Sequence, residues 1–241
     1  GLCSAISLFP FYMMINMGTY QTNELYTGIK LVVGDYLVEN FKSLMEVHFV
    51  RYYGNSILVA VTCAILTVLV CSLSGYGLGK YKFRGQKTMM AIVMLTMMVP
   101  TQLSLVGFVK EMNILRWSNT LLPLIIPPAA SAFGVFWIKQ FTQDSIPDSV
   151  IESAKLDGCG EAKVFFKIAL PFMKPACVTL ALLSFLWSWN SFLVPMIVIS
   201  KESLFTLPLG IRQLATQFRT DLGAQILGLT IATLPILVLF G

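Results

Sequence analysis

One short segment of the chain combines residue types that bind phosphate in nucleotide-binding proteins. Gly75, Gly77 and Gly79 alternate with other residues, and Lys80 follows directly. A phosphate-binding loop requires a further glycine five positions before the Gly-Lys pair, and Ser or Thr after the lysine. A serine and a tyrosine occupy those two positions here. We therefore interpret the three glycines as sites of close helix packing and expect any nucleotide to bind to a different subunit.

The longest apolar stretches contain no side chain suited to acid–base chemistry. Charged residues at membrane depth mark proton relays, ion-coupled sites and intramembrane catalysis, so a proton-coupled carrier, a membrane enzyme and a metal site are all disfavoured. Sodium sites use backbone carbonyls and hydroxyls alone, which leaves a secondary transporter with a neutral substrate path as the alternative. The stretches without Asp, Glu, Lys, Arg or His are 1–23, 52–79, 88–109, 117–138, 175–200 and 222–241.

The loop 139–174 carries the most informative pattern. Ser149 and Glu152 have the spacing of a capping box, which predicts a helix that begins near Val150. Gly158 stands where a left-handed C-cap would end this helix. We therefore expect Gly158 to adopt a positive φ.

The same loop contains a second short helical pattern after the turn. Gly160 is placed to cap this helix, and Pro171 follows it. Both arms carry more apolar side chains than a solvated loop, so a partner must cover them, either the chain's own helix ends or another subunit. An interfacial amphipathic hairpin remains the alternative to a docking element.

The composition of the chain predicts that membrane-spanning helices flank this loop. The chain of 241 residues is 56% hydrophobic and 12% charged, with a mean hydropathy of +0.76, against about 25% charged in soluble domains. The apolar runs do not alternate as barrel strands do, and about 20 apolar residues cross a bilayer as a helix. We predict an all-α membrane protein with six transmembrane helices in a single domain, 1–241. The predicted spans are 1–20, where a signal peptide is the alternative, 54–79, 88–109, 118–138, 175–199 and 223–241.

Charge in the short loops sets the predicted orientation. The segment 80–87 contains three Lys and one Arg but no acid, and short basic loops stay in the cytoplasm. The rule places 80–87, 139–174 and both termini on the cytoplasmic side of a cell membrane. The net charge of +5 is then a consequence of topology, and nucleic acid is not an expected partner.

The hairpin residues resemble the EAA motif of permease subunits in binding-protein-dependent ABC importers. The family's usual Ala is Ser153 here, and Gly160 replaces a Ser that many members have. The matching residues are Glu152, Ala154, Asp157 and Gly158, followed after nine residues by Ile168, Leu170 and Pro171.

Other segments resemble the carbohydrate branch of that family, in particular the second permease subunits of maltose-type and other oligosaccharide importers. The helix entry with Asn55 and Ser56 is similar to the family's asparagine–serine start. The remaining similar segments are 131–136, 188–192 and 204–210.

The resemblance implies a type I ABC importer permease fold and a non-catalytic transport subunit of a bacterial inner or plasma membrane. It implies a coupling helix–turn–helix at 144–171 that docks on a cytosolic ATPase, which binds ATP and Mg²⁺. The implied partners are a second, different permease, two ATPase subunits and an extracytoplasmic solute-binding protein, with a carbohydrate as substrate. The implied coupling residues are Glu152, Ser153, Ala154, Leu156, Asp157, Gly158 and Phe165.

A substrate path for a neutral sugar calls for aromatic rings to stack on it and for amides and hydroxyls to bond to it. The alternative is that such residues pack helices. The residues of this type in or beside the spans are Gln102, Ser131, Trp187, Trp189, Asn190 and Phe192. The loop 201–221, with Lys201, Arg212 and Arg219, is expected outside, where the binding protein would meet it.

Overall fold

The computed structural model describes residues 2–214 and 221–240, and within these ranges the chain is helical and has no strand. Arg219 lies outside the described residues. Short 3₁₀ turns and one π-helical turn, Phe165–Ala169, join the α-helices. The α-helices are α1 Leu2–Met17, α2 Leu37–Glu46, α3 Phe49–Lys80, α4 Gln86–Met97, α5 Thr101–Ile114, α6 Leu122–Ala129, α7 Ala132–Ser145, α8 Asp148–Leu156, α9 Glu161–Val164, α10 Leu170–Trp189, α11 Leu193–Val198, α12 Leu207–Ile211 and α13 Leu222–Phe240.

Four helical segments among the described residues are long and apolar enough to cross a membrane. They are Phe49–Lys80, Leu122–Ser145, Glu161–Trp189 and Leu222–Leu239. The pair α4 and α5, bent by 105°, counts as a fifth span if it crosses as one unit, and Ile6–Met17 is a shorter apolar helix. Each of these segments overlaps one of the six uncharged stretches, whereas the bounds and the number of crossings stay predictions.

Contacts divide the chain into two compact units, of which the first comprises residues 1–58 and 190–241. In this unit α13 packs against α1 and α2. The approach is close, since a Cβ at Gly18 would lie 3.1 Å from Cα of Leu227. The Asn40 amide on α2 donates to the carbonyls of Gly18 and Tyr20, each at 2.9 Å. It thereby satisfies backbone acceptors just beyond the end of α1.

The second unit comprises residues 59–189, and its core lies where α3, α7 and α10 meet. A Cβ at Gly75 would lie 2.7 Å from Cβ of Ile138, and one at Gly79 would lie 3.1 Å from Thr142, whereas Gly77 has open space around it. Positions four apart share one helix face. The predicted close packing is therefore confirmed for Gly75 and Gly79 and wrong for Gly77.

Prolines break two of the apolar segments. Pro100 is the N-cap of α5, three residues after α4 ends, as expected from its missing N–H and the restriction it places on the preceding residue. Pro127 and Pro128 lie in the last turns of α6. The chain becomes helical again at α7, where the Ser131 hydroxyl accepts a hydrogen bond from the N–H of Gly134 at 3.1 Å.

The predicted span 175–199 is not one helix. α10 ends at Trp189, and α11 begins only at Leu193. Pro195 lacks the N–H that would bond to the carbonyl of residue 191 in a continuous helix. Asn190 and Ser191 compete for backbone groups in the same place, so the helix ends before them.

Candidate functional site

The first arm of the predicted hairpin is α8, which begins at Asp148 after an extended Pro147 with ψ of 137°. No side chain caps this helix, so the predicted capping box and the start near Val150 are wrong. Proline fixes its own φ and donates no N–H, so the helix begins directly after it. Asp148 instead places its negative charge in the first turn, where the helix dipole favours it.

The turn between the arms has the geometry of a Schellman motif. The N–H of Gly158 donates to the carbonyl of Lys155, and the N–H of Cys159 donates to that of Ala154, both at 3.0 Å. Gly158 has a φ of +78°, which confirms the predicted left-handed residue. Gly160, with a φ of −69°, is the N-cap of the second arm, also as predicted.

The second arm runs without interruption into a span. α9 continues through the π-helical turn Phe165–Ala169 into α10, so the expectation that this arm ends before Pro171 is wrong. A proline inside a helix removes one hydrogen bond and crowds the carbonyl four residues earlier. That carbonyl belongs to Lys167, inside the wider π turn, which accommodates the ring.

The inner face of the hairpin is part of the core. Ile151, Ala154 and Val164 are buried, and the Phe165 ring, 5% exposed, packs 5.4 Å from the Tyr76 ring. The Phe165 ring therefore packs on α3, and Ala154 lies in the same buried cluster. Phe166, which was not among the residues singled out from the sequence, is 59% exposed.

The outer face presents the remaining predicted coupling residues to solvent. Leu156 is 89% exposed at the end of α8. The other exposed members of this face are Glu152, Ser153, Asp157 and Gly158.

The end of α3 is fastened to both arms. The Lys80 ammonium lies 2.7 Å from the Asp148 carboxylate and lowers the pKa of that carboxyl by hydrogen bonding and charge. The Tyr81 hydroxyl donates to the carboxylate of Glu161. Burial raises the pKa of Tyr81, and the hydrogen bond to Glu161 raises it further. The partners are 68 and 80 residues apart, so no local pattern in the sequence indicates these pairs.

In the first unit, Asn55 and Ser56, in the second turn of α3, hold the segment 203–207. The Asn55 amide donates to the carbonyls of Ser203 and Phe205 at 3.0 and 2.9 Å. The Ser56 hydroxyl accepts a bond from the N–H of Leu207 at 2.7 Å. These residues therefore fix an irregular segment that cannot satisfy its own backbone groups.

Residues 72–241 match the family model described as binding-protein-dependent transport system inner membrane component. The chain belongs to this family.

Curated relatives of this permease agree with the family match. It is 30% identical over 240 residues to the arabinooligosaccharides transport system permease protein AraQ of Halalkalibacterium halodurans, with 98% of this chain and 86% of the relative covered. It is also 30% identical to the lactose transport system permease protein LacG of Rhizobium radiobacter, with 99% and 87% covered.

The fold is shared with a solved transporter. The permease matches a chain in the crystal structure of a bacterial ABC transporter involved in the import of the acidic polysaccharide alginate, with a TM-score of 0.85 and 18% identity. The match covers 100% of this chain and 90% of that one. The predicted all-α membrane fold of an ABC importer permease is thereby confirmed.

Candidate path residues of the permease in the second unit have different surroundings. Trp189 is buried and stacks on Phe185 with ring centroids 5.6 Å apart, so it is a packing residue. Trp187 is half-exposed and meets the Phe133 ring edge-on at 5.4 Å. Gln102 is exposed on α5, while the Ser131 hydroxyl is used as a helix cap.

Two candidate path residues lie in the first unit. Asn190 directly follows Trp189, the last residue of α10, and is exposed. Phe192 is half-buried, and the Arg212 guanidinium lies 5.7 Å from its ring centre. An arginine in this position occupies an aromatic face that the sequence analysis assigned to sugar stacking.

Proposed function

We propose that this permease belongs to an ATP-driven importer that takes up an oligosaccharide delivered by an extracytoplasmic binding protein. The chain itself performs no catalysis in this proposal. It provides part of the membrane path, and its hairpin receives the conformational change from an ATPase subunit that binds ATP and Mg²⁺. Motion of the spans then exposes the path alternately to the two sides.

The observation that carries the proposal is the division of the hairpin into two faces. On the inner face Ile151 is buried and Phe165 packs on Tyr76 of α3, whereas the outer face exposes Glu152 and Leu156 beside the Gly158 turn. A short rigid helix with an apolar tip and one acid offers an apolar contact and a salt-bridge partner to a groove. Three residues of this outer face, Glu152, Asp157 and Gly158, are among those that resemble the EAA motif.

The substrate class rests on the relatives, whose names specify arabinooligosaccharides, lactose and starch degradation products. The side chains of this chain suit a neutral substrate. Trp187 is a half-exposed aromatic ring, and Gln102 and Asn190 are exposed amides. Rings of this kind stack on sugars, and amides bond to their hydroxyls.

The orientation follows from the exposed cations between α3 and the first turn of α4, which are Lys82, Arg84 and Lys87. The positive-inside rule assigns them, the hairpin and both termini to the cytoplasm. A single chain of this size does not enclose a path, so the complex contains a second permease and two ATPase subunits. The segment 201–221 then faces the binding protein.

The test is reconstitution of the complete transporter in proteoliposomes, with labelled arabinooligosaccharide and lactose as probes. We expect uptake that requires ATP, Mg²⁺ and binding protein, and hydrolysis that the binding protein stimulates. Uptake without the ATPase subunits would replace the proposal with a secondary transporter. Uptake of neither sugar despite stimulated hydrolysis would overturn the substrate class alone.

A variant pair tests the docking face. Leu156→Asp places a charge at the exposed tip of the hairpin, so the ATPase subunit should no longer purify with the permease. Leu115→Asp makes the same change at another exposed leucine, beyond the end of α5, and should retain the complex. If both variants retained the ATPase, Leu156 would not belong to the docking surface.

A further inference from the structure

The cytoplasmic end of α3, in the proposed orientation, is bound to the first arm of the hairpin by Lys80. Its ammonium contacts two groups, the carboxylate of Asp148 at 2.7 Å and the carbonyl of Ile146. The side chain of Lys80 is 7% exposed, although that of Asp148 is 73% exposed. The lysine is therefore enclosed, and it reaches the hairpin from within the packed unit.

These two contacts join three helices at one ammonium group. Ile146 is the C-cap of α7, and Asp148 is in the first turn of α8. A cation is favourable at a helix C-terminus and an anion at an N-terminus, so both helix ends favour the arrangement. Pro147 lies between these two contacts and has a fixed φ. Because this restricts the backbone before α8, a displacement of α8 should also displace the Lys80 ammonium that contacts its start.

Tyr81 binds the second arm in the same way. Its hydroxyl donates to the Glu161 carboxylate, which also pairs with Lys155 of the first arm at 2.7 Å. The Lys155 ammonium lies 4.9 Å from the centre of the Tyr81 ring. The phenol, the ammonium and the carboxylate thus connect both arms of the hairpin with the residue that follows α3.

The helix that ends at these contacts is α3. α3 is continuous over 32 residues, about 48 Å at 1.5 Å per residue. Its Gly75 and Gly79 lie against α7, whose end Lys80 also contacts. Packed helices move as rigid elements and not as deformable ones, so displacement of the hairpin must reach α3 through the contacts that join them.

We infer that Lys80 and Tyr81 are positioning residues that transmit displacement of the hairpin to α3 during transport. The inference rests on the proposed coupling function of the hairpin. It assigns to these two side chains the connection between the docking surface and a membrane-spanning helix, a role separate from contact with the ATPase itself.

The experiment compares variants of Lys80 in the reconstituted transporter, with sugar uptake per ATP hydrolysed as the readout. Lys80→Met removes the ammonium and keeps most of the aliphatic stem, and we expect the ratio to fall about fivefold or more while the ATPase subunit still purifies with the permease. Lys80→Arg retains a cation and should restore most of the ratio. Lys87→Met, the matched change on an exposed lysine of the same basic segment, should leave the ratio unchanged.

Tyr81→Phe provides a milder test, since it keeps the ring and removes only the hydroxyl that binds Glu161. We expect the uptake ratio to fall with little change in melting temperature. An unchanged ratio in both Lys80→Met and Tyr81→Phe would overturn the inference, and so would failure of Lys80→Arg to exceed Lys80→Met.

The experiment distinguishes failure of the proposed function from failure of the inference. If the wild-type complex takes up sugar without ATP, the proposed function falls and the inference falls with it. If ATP-driven uptake is intact and the Lys80 and Tyr81 variants keep the wild-type ratio, only the inference falls.

Discussion

The hydroxyl of Ser56, on the first turns of α3, accepts a hydrogen bond of 2.7 Å from the N–H of Leu207, which lies 151 residues further along the chain. Both residues are buried. A buried N–H without an acceptor is costly, and the N–H of the first residue of α12 has no acceptor within its own helix. Ser56 therefore caps a helix that the chain forms far away in sequence.

Replacing Ser56 with alanine should leave that N–H unsatisfied and cost about 1–3 kcal/mol of unfolding free energy. The loss should appear as a lowered melting temperature in detergent. A thiol-reactive dye can measure it, because Cys63, Cys71 and Cys177 are buried and become reactive when the protein unfolds. Ser72→Ala is the control, since the Ser72 hydroxyl donates to the carbonyl of Leu69 in its own helix. Equal melting temperatures for the two variants would contradict the capping role.

Gly210→Ala should also destabilise the first unit. A Cβ at this position would lie 2.0 Å from the Tyr52 ring, and the ring is held because its hydroxyl lies 2.9 Å from Glu202 and 2.8 Å from Gln213. Overpacking of this kind costs about 1–3 kcal/mol. The melting temperature in detergent measures it, and a variant as stable as the wild type would show that the ring can move aside.

Gly75→Ala and Gly77→Ala form a matched pair on α3. A Cβ at Gly75 would meet both the side chain of Ile138 and the N–H of Lys139 within 2.8 Å, whereas Gly77 faces open space. We expect the first variant to lose about 1–3 kcal/mol, and the second to keep its stability or gain up to about 1 kcal/mol from helix propensity. The reverse order of melting temperatures would contradict the packing of α3 against α7.

Gly158→Ser should strain the hairpin turn. A residue with a Cβ costs about 1–2 kcal/mol in the left-handed region, and there is no clash to add to it, since nothing lies within 4 Å of the added atom. We expect faster hydrogen exchange at the N–H of Cys159, followed by mass spectrometry of a peptide over 153–165, and slower ATP-driven uptake. Gly160→Ser is the control, because serine is favoured at an N-cap with its φ of −69°. Identical exchange in the two variants would contradict the turn geometry.

The attachment of α8 to Lys80 should weaken in acid. Lys80 lowers the pKa of Asp148 in the folded protein. The stabilisation is therefore complete above the unfolded-state pKa, about 3.9 for Asp, and is lost as the pH falls through the lower folded-state value. Between about pH 5 and about pH 3, the wild type should lose more melting temperature than Asp148→Asn. Because Asp148 is exposed, the difference should be small. Parallel curves of melting temperature against pH for the two proteins would show that the ion pair does not stabilise the fold.

Local sequence patterns predicted those features of the hairpin that depend on a few neighbouring residues. The left-handed Gly158 and the cap at Gly160 were predicted because a turn depends on the backbone freedom of single residues. The helix start was wrong by two residues because Pro147 acts on the backbone more strongly than the Ser149 side chain does. The second arm was wrongly predicted to end before Pro171, because no residue pattern in the sequence indicates the π turn that accommodates this proline.

That π turn also explains why the sequence did not distinguish Phe165 from Phe166. Two adjacent aromatic residues point about 100° apart on a helix, and one wider turn changes which of them meets the core. Only the tertiary structure decides that Phe165 packs on Tyr76 and that Phe166 is exposed.

The class of this protein follows from its sequence: an all-α membrane protein with apolar helices and one loop of family-specific pattern. Composition and charge spacing are sufficient for that, because the bilayer imposes the same length and polarity on every span. The tertiary structure alone decided the pairings over long sequence distances, such as Lys80 with Asp148 and Ser56 with Leu207. Such pairs depend on which helices pack together, and no periodicity within one helix encodes its neighbour.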